Sequence, residues 1–338
     1  MGEFPKYKAA ATQVAPEFLD IHRSVDKACD VIEEAARHGA KLVGFPEGFL
    51  TGYPQWIFMG KSFGENVEFY KRLYRNAITI PGPETLKIAK CARENEIFVC
   101  MSCTELDNAS LYLTQVWFDD KGNIMGKHRK IRPTNGERAI WGEGDGSMMP
   151  VFNTKIGNLG GLMCWEHRMP ANLMIMKSKN EQVHVAGWPA GSDDDDHIFS
   201  SRANVDASKY YAQTTGTYIV MCSSPLTEPM RKILIDNDPI MEERVQKGCG
   251  HAGILSLSGK HMVDPIPHDE EGILYAEIDL SLAIDAHYLL DCAGHYGKAS
   301  VGKLIYNQES QDAVQYIGKG KNYAVSFEKM KEYIEKGE

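Results

Sequence analysis

A chain of 338 residues with 43% apolar and 25% charged side chains has the material for a large core and the charge content of an ordinary globular protein. Its formal charge of −9 argues against nucleic acid or an anionic membrane as main partner, and no stretch approaches the ~20 apolar residues of a membrane span. The N-terminus has no apolar signal core, and Lys6 stands where a myristoylation site needs Ser or Thr, so a cytosolic compartment is expected.

Residues 7–14 read as a first strand. Asp20 can cap a helix in which Val25, Ala28, Cys29, Ile32, Ala35 and Ala36 share one face and Gly39 ends the run. Residues 41–45 form a second strand that runs straight into Pro46 and Glu47. Residues 65–77 and 84–94 read as helices, and 97–104 as a strand. Residues 111–118 and 124–130 make an antiparallel hairpin around Lys121 and Gly122. Strands follow at 159–164, 183–186 and 218–222, with helices at 170–178 and 200–215 between them. Residues 252–257 and 261–265 read as another hairpin around Ser258 and Gly259, and 273–278 as the last strand. This mixture implies α/β layers around a mixed sheet, with neither a long linker nor a short repeat.

The eight cysteines are scattered through apolar segments without a disulfide ladder. Cys100 and Cys103 have the spacing of a redox pair or half a zinc site. They lie on a strand, however, where residues three apart face opposite ways, so structural thiols are expected. Asp193, Asp194, Asp195 and Asp196 are dense in oxygen but lack the spaced ligands of a calcium loop, and read as a solvated loop or helix start. No metal site is expected.

Three strand ends carry chemistry. The glycine-rich run 158–163 stops at Cys164, before Trp165, Glu166 and His167. That suggests a strand-to-helix turn whose helix dipole would favour a thiolate. Glu47 ends the second strand, and Lys130 ends the basic strand Gly126-Lys-His-Arg-Lys130. Singly, each has a plain structural explanation: a buried cysteine, a helix-capping glutamate, a solvated lysine. Together they supply a nucleophile, a base for its proton and a cation for a developing anion.

The order Glu, Lys, Cys resembles the nitrilase, or carbon–nitrogen hydrolase, superfamily. Phe45-Pro-Glu-Gly48 with Gly52-Tyr-Pro54 looks like the glutamate motif of its nitrilase branch. Lys127-His-Arg-Lys-Ile-Arg-Pro-Thr134, then Glu137-Arg138 and Trp141-Gly-Glu-Gly-Asp-Gly-Ser147, is similar to the lysine motif and its continuation. Gly160-Gly-Leu-Met-Cys-Trp-Glu-His167 resembles the nucleophile motif of nitrilases and cyanide-degrading enzymes, and Asp291-Cys-Ala-Gly-His-Tyr296 the C-terminal one. After Tyr296 the chain departs from the family's usual Ser-Arg-Pro-Asp, having Gly297-Lys-Ala-Ser300. The likeness implies an α-β-β-α sandwich, with a catalytic domain over residues 7–300 and a tail, 301–338, that tunes contacts between copies as dimers stack into spirals. It implies hydrolysis of a nitrile without metal or organic cofactor, using Glu47 as base, Cys164 as nucleophile and Lys130 as cation. Glu137 is implied as a second carboxylate that positions substrate and lysine; its structural alternative is an ion pair with Arg132 or Arg138. Tyr53, Trp165, Glu166 and Trp188, with Trp56, are expected along the substrate or in the core. His128 is expected to pack or hydrogen-bond, and His295 to be structural or a subunit contact. Three activities stay open: a nitrile converted to acid and ammonia, cyanide hydration or release of the amide at the same site, and a silent scaffold relative.

Overall fold

The computed structural model describes residues 4–236, 238–314, 317–318 and 325–336. Strand β1 (Lys6–Gln13) leads to helix α1 (Ile21–Arg37), which starts where the Asp20 carboxylate accepts the Arg23 N–H. Its Val25, Ala28, Ile32 and Ala35 are buried, and Gly39, at φ +83°, turns the chain into β2 (Ala40–Gly44). Helices α2 (Phe63–Asn76) and α3 (Pro83–Glu94) precede β3 (Phe98–Asp107), β4 (Ser110–Phe118) and β5 (Ile124–Arg129). Then come β6 (Val151–Thr154), β7 (Gly157–Met163), α4 (Pro170–Ser178), β8 (Val183–Trp188), α5 (Ser201–Thr215) and β9 (Tyr218–Ser223). Helices α6 (Glu228–Ile235) and α7 (Pro239–Arg244), strands β10 (Gly253–Leu255) and β11 (Gly272–Asp279), and helices α8 (Leu280–Leu289) and α9 (Phe327–Lys336) complete the chain.

The strands follow the order β5-β4-β3-β2-β1-β9-β8-β7-β6, with β11 on β1 and β10 on β9. The link between β1 and β9 is a single pairing, Gln13 with Ser223, so the sheet folds there into two halves. Leu42, Cys100 and Trp117 from one half pack with Leu159, Val185 and Val220 from the other. The outer face of the first half (Val43, Val99, Met101) is covered by α1 and α3, and that of the second (Leu162, Ala186, Met221) by α4 and α5. The result is the α-β-β-α sandwich. Two glycines allow the halves to close. A Cβ at Gly44 would lie 2.6 Å from Val185 Cγ1, and one at Gly161 2.9 Å from Gln115 Oε1.

Cys100 and Cys103 do fall into opposite layers, and every described cysteine is a free thiol. Residues 261–265 do not form the expected hairpin strand. Only a bridge from His261 to Leu255 remains, because Pro265 and Pro267 remove N–H donors and β10 pairs with β9. Strand β6 and helices α6, α7 and α8 are additions to the sequence reading; α8 buries only Leu280 and Ala283, which hides its pattern. Among the described residues, no helix is long and apolar enough to cross a membrane.

Candidate active site

Glu47, Lys130 and Cys164 leave β2, β5 and β7 at the same edge of the sandwich. Past Gly44 the chain turns at Gly48, φ +64°, whose N–H donates to Ser102 Oγ at 2.9 Å. Lys130 follows β5, its N–H donating to the Leu113 carbonyl at 2.9 Å. Cys164 leaves β7 at φ 51° and opens a single 3-10 turn, Cys164–Arg168. That left-handed conformation is uncommon for a residue with a side chain and accompanies functional turns. Two clamps hold the turn. His167 Nδ1 lies 2.6 Å from the Cys164 carbonyl oxygen, and the Glu166 carboxylate accepts the Met163 N–H at 2.9 Å.

Lys130 Nζ donates to Glu47 Oε1 and Glu137 Oε2, each at 2.8 Å. Glu137 also accepts the Tyr53 hydroxyl and the Thr134 N–H, both at 2.5 Å. It therefore pairs with Lys130, not with Arg132 or Arg138. Glu47, Glu137 and Cys164 bring a carboxylate oxygen, a second one and Sγ within 4.8 Å of one another. That spacing would also suit a cation, and the Lys130 ammonium already stands between the two carboxylates.

All four side chains are buried. Burial dominates at Cys164 and Glu47. It pushes the Cys164 thiol well above its ordinary range, and the Glu47 charge adds to this while Lys130 opposes it. The helix dipole expected to favour a thiolate does not prevail, since only one short turn follows Cys164. The resting nucleophile is a thiol that needs a base. Burial raises Glu47 to about 8, against the pull of Lys130. Among the described residues, its Oε2 has no hydrogen-bond partner. Lys130 stays charged: burial works against its ammonium, but Glu137 and Glu47 outweigh that and hold it above its ordinary value.

Cys164 opens onto a cavity of about 160 Å³, lined by Tyr53, Phe58, Glu137, Phe199 and Asn204 among others. Of the expected substrate neighbours, Tyr53 alone lines this cleft. Trp165 stacks on Phe199 at 4.8 Å and, with Glu166, borders a separate cavity of about 560 Å³ beside Ile131 and Met169. Both Glu166 oxygens are occupied, by His128 Nε2 and the Met163 and Ile131 N–H groups. Trp188 is buried in the second-half core, donating to Ser208 Oγ, and Trp56 in another core cluster against Phe69. His128 hydrogen-bonds to Glu166 and the Met148 carbonyl, as expected of a packing residue. His295 is exposed in the turn after α8, and Asp193 to Asp196 form an exposed loop leading to His197 at the cleft mouth. Sequence reasoning missed Phe58, His197, Phe199 and Asn204. Each comes from a loop or helix that only the fold brings to the cleft; the one available signal was Ser200, a helix cap just before Asn204.

A sequence model described as carbon–nitrogen hydrolase matches residues 8–288. The chain belongs to the carbon–nitrogen hydrolase family. It is 42% identical over 332 residues to a nitrilase of Bacillus sp. (strain OxB-1), covering 98% of this chain and 96% of that one. An aliphatic nitrilase of Rhodococcus rhodochrous is 36% identical over 314 residues, 92% of this chain and 82% of the other. Among solved structures, a Saccharomyces cerevisiae member of branch 10 of the nitrilase superfamily superposes with a TM-score of 0.67 at 19% identity, covering 87% of this chain and 97% of that one. That last likeness is one of fold.

Proposed function

We propose that the protein is a nitrilase that hydrolyses an organic nitrile to the carboxylic acid and ammonia. The observation that carries this reading is the buried Glu47–Lys130–Glu137 cluster set against Cys164 beside a small cleft. Glu47 Oε2 takes the thiol proton and Sγ bonds to the nitrile carbon. One π bond of the triple bond opens, and its electron pair goes to nitrogen, which Lys130 stabilises and protonates, Lys130 regaining a proton from Glu47 at 2.8 Å so that Glu47 is again ionised. Water adds to the thioimidate, the C–N bond breaks and ammonia leaves a thioester. A second water, activated by Glu47, releases the acid and returns the proton to sulfur. Glu137 holds Lys130 and Tyr53 in place throughout. None of these steps calls on a metal or organic cofactor.

Residues 7–300 then form the catalytic domain, and 301–338 a tail for contacts between copies. Exposed Val301, Leu304 and Ile305 support that assignment, and dimers stacking into spirals are the expected assembly. Eight free thiols support a cytosolic site of action. The test is release of ammonia and amide from phenylacetonitrile, an aliphatic dinitrile and cyanide, measured with wild type and Cys164→Ala. Ammonia from an organic nitrile that vanishes in Cys164→Ala supports the proposal. Turnover of cyanide alone, or amide as sole product, moves the protein to the alternative hydratase reading. Silence of both proteins on the whole panel points to a scaffold.

A further inference from the structure

We infer that Asn204 is a further catalytic residue of this site, its Oδ1 accepting an N–H from the nitrogen that the nitrile gives up, and that His251 positions it. The inference rests on the nitrile-hydrolysing reading above. Asn204 lies in the first turn of α5, 3% exposed, and lines the same cavity as Cys164. Its Nδ2 is 3.4 Å from His251 Nε2. His251 Nδ1 in turn lies 3.2 Å from the Cys249 carbonyl oxygen and 3.1 Å from Ser223 Oγ.

Those contacts settle which way the carboxamide faces. The Ser223 hydroxyl donates to the Pro189 carbonyl, so toward His251 its oxygen accepts, as the Cys249 carbonyl must. His251 Nδ1 therefore carries the ring proton. Burial keeps the ring neutral, lowering its pKa to about 4. Nε2 is then a bare acceptor, and only the NH2 of Asn204 can meet it. The oxygen is left over, buried and, among the described residues, without a partner. A buried carbonyl without a donor costs stability and is kept where a ligand supplies the donor.

The nitrile itself cannot supply that donor, because its nitrogen bears only a lone pair. During the reaction this nitrogen gains three protons: it is N–H in the thioimidate, NH2 after water adds, and NH3 on departure. An acceptor that helps only once protons have arrived stabilises the later states over the bound substrate, the condition for raising kcat. The tetrahedral intermediate also has two exits. If C–N breaks, the pair goes to the protonated nitrogen, and ammonia and the thioester form. If C–S breaks, the pair goes to sulfur and the amide is released. Asn204 Oδ1, holding the protonated nitrogen, favours the first exit.

The experiment uses the full chain and whichever nitrile of the panel above wild type turns over, with ammonia and amide measured together. Asn204→Leu keeps the branched outline of the side chain and removes the acceptor. It should lower kcat about 10- to 100-fold, with KM within about threefold, and raise the amide fraction. Asn204→Asp, which keeps an acceptor oxygen, should give no more amide than wild type, and His251→Leu should move toward amide by a smaller amount. A folded Asn204→Leu with the wild-type kcat and product ratio overturns the inference. Should that variant not fold, an unchanged product ratio in His251→Leu overturns it instead. A wild type that yields neither product overturns the parent reading, and this one with it.

Discussion

Replacing Glu166 by Gln tests whether a buried carboxylate holds the nucleophile and the lysine together. Glu166 Oε1 accepts the Ile131 N–H at 2.8 Å, and Oε2 accepts both the Met163 N–H at 2.9 Å and His128 Nε2 at 2.8 Å. Ile131 follows Lys130 and Met163 precedes Cys164, so one carboxylate spans the two strand ends. Gln has one acceptor oxygen and one NH2. With the oxygen toward Ile131, the NH2 faces the Met163 N–H; with the amide flipped, it faces the Ile131 N–H. Either way a buried N–H loses its acceptor, at about 1–3 kcal/mol. The charge that matches buried His128 is lost as well. Breaking a buried pair costs about 3–5 kcal/mol in total, so a loss of about 3 kcal/mol is expected.

The pH dependence separates those two contributions. His128 is raised: burial opposes its charge, but Glu166 outweighs that. Glu166 is lowered: burial opposes its charge too, but His128 and the backbone donors prevail. A raised histidine stabilises fully below its ordinary 6.5 and loses the effect as pH climbs through its folded value. A lowered carboxylate stabilises above its ordinary 4.5 and loses the effect as pH falls through its folded value. The pair is therefore worth most between these limits. Urea unfolding followed by tryptophan fluorescence should show the full gap between wild type and Glu166→Gln near pH 6 and a smaller one at alkaline pH. Turnover should fall with it. A variant that unfolds with wild type and keeps its kcat would refute the clamp.

Two further outcomes follow from the same geometry. Because burial raises Glu47 and it must be ionised to take the thiol proton, kcat/KM should climb with pH through a limb above the ordinary 4.5. An acid limb at the ordinary carboxylate value would show that another group is the base. Gly161→Ala should cost about 1–3 kcal/mol by overpacking, since its methyl would meet Gln115 Oε1 at 2.9 Å and Trp117 Cζ2 at 3.1 Å from the opposite sheet half. A melting temperature equal to wild type would mean the sheets part more readily than their packing implies.

How much was legible in the sequence depended on whether the signal was local. A strand that ends abruptly in Pro46 and Glu47, or in Cys164 after a glycine run, advertises a strand end, and strand ends meet at one edge of such a sandwich. The partner of Glu137 was ambiguous because Arg132 and Arg138 are nearer in sequence than Lys130; only folding shows that Lys130 points inward. The cleft wall was hidden for a different reason. Trp56 and Trp188 look like substrate aromatics, yet apolar rings near a motif are also what a core requires. Asn204 looks like any polar residue on a helix. Its role depends on His251 and on a cavity assembled from elements far apart in the chain.

The two sheet halves contribute unequally to the chemistry, and this makes inter-sheet packing a determinant of activity. Glu47 and Lys130 come from the first half, Cys164 from the second, so no single layer contains both base and nucleophile. Their spacing is set where the layers touch. There Gln115 on β4 reaches across to the Leu162 and Val185 carbonyls at 3.3 and 3.4 Å, just beneath Cys164. The Lys130 ion pairs and Glu166 hold the same edge from above. A thiol that burial keeps protonated is useful only if the base arrives preassembled, because a side-chain shift of about 1 Å can cost about a hundredfold in rate. Rigid layers supply that constraint.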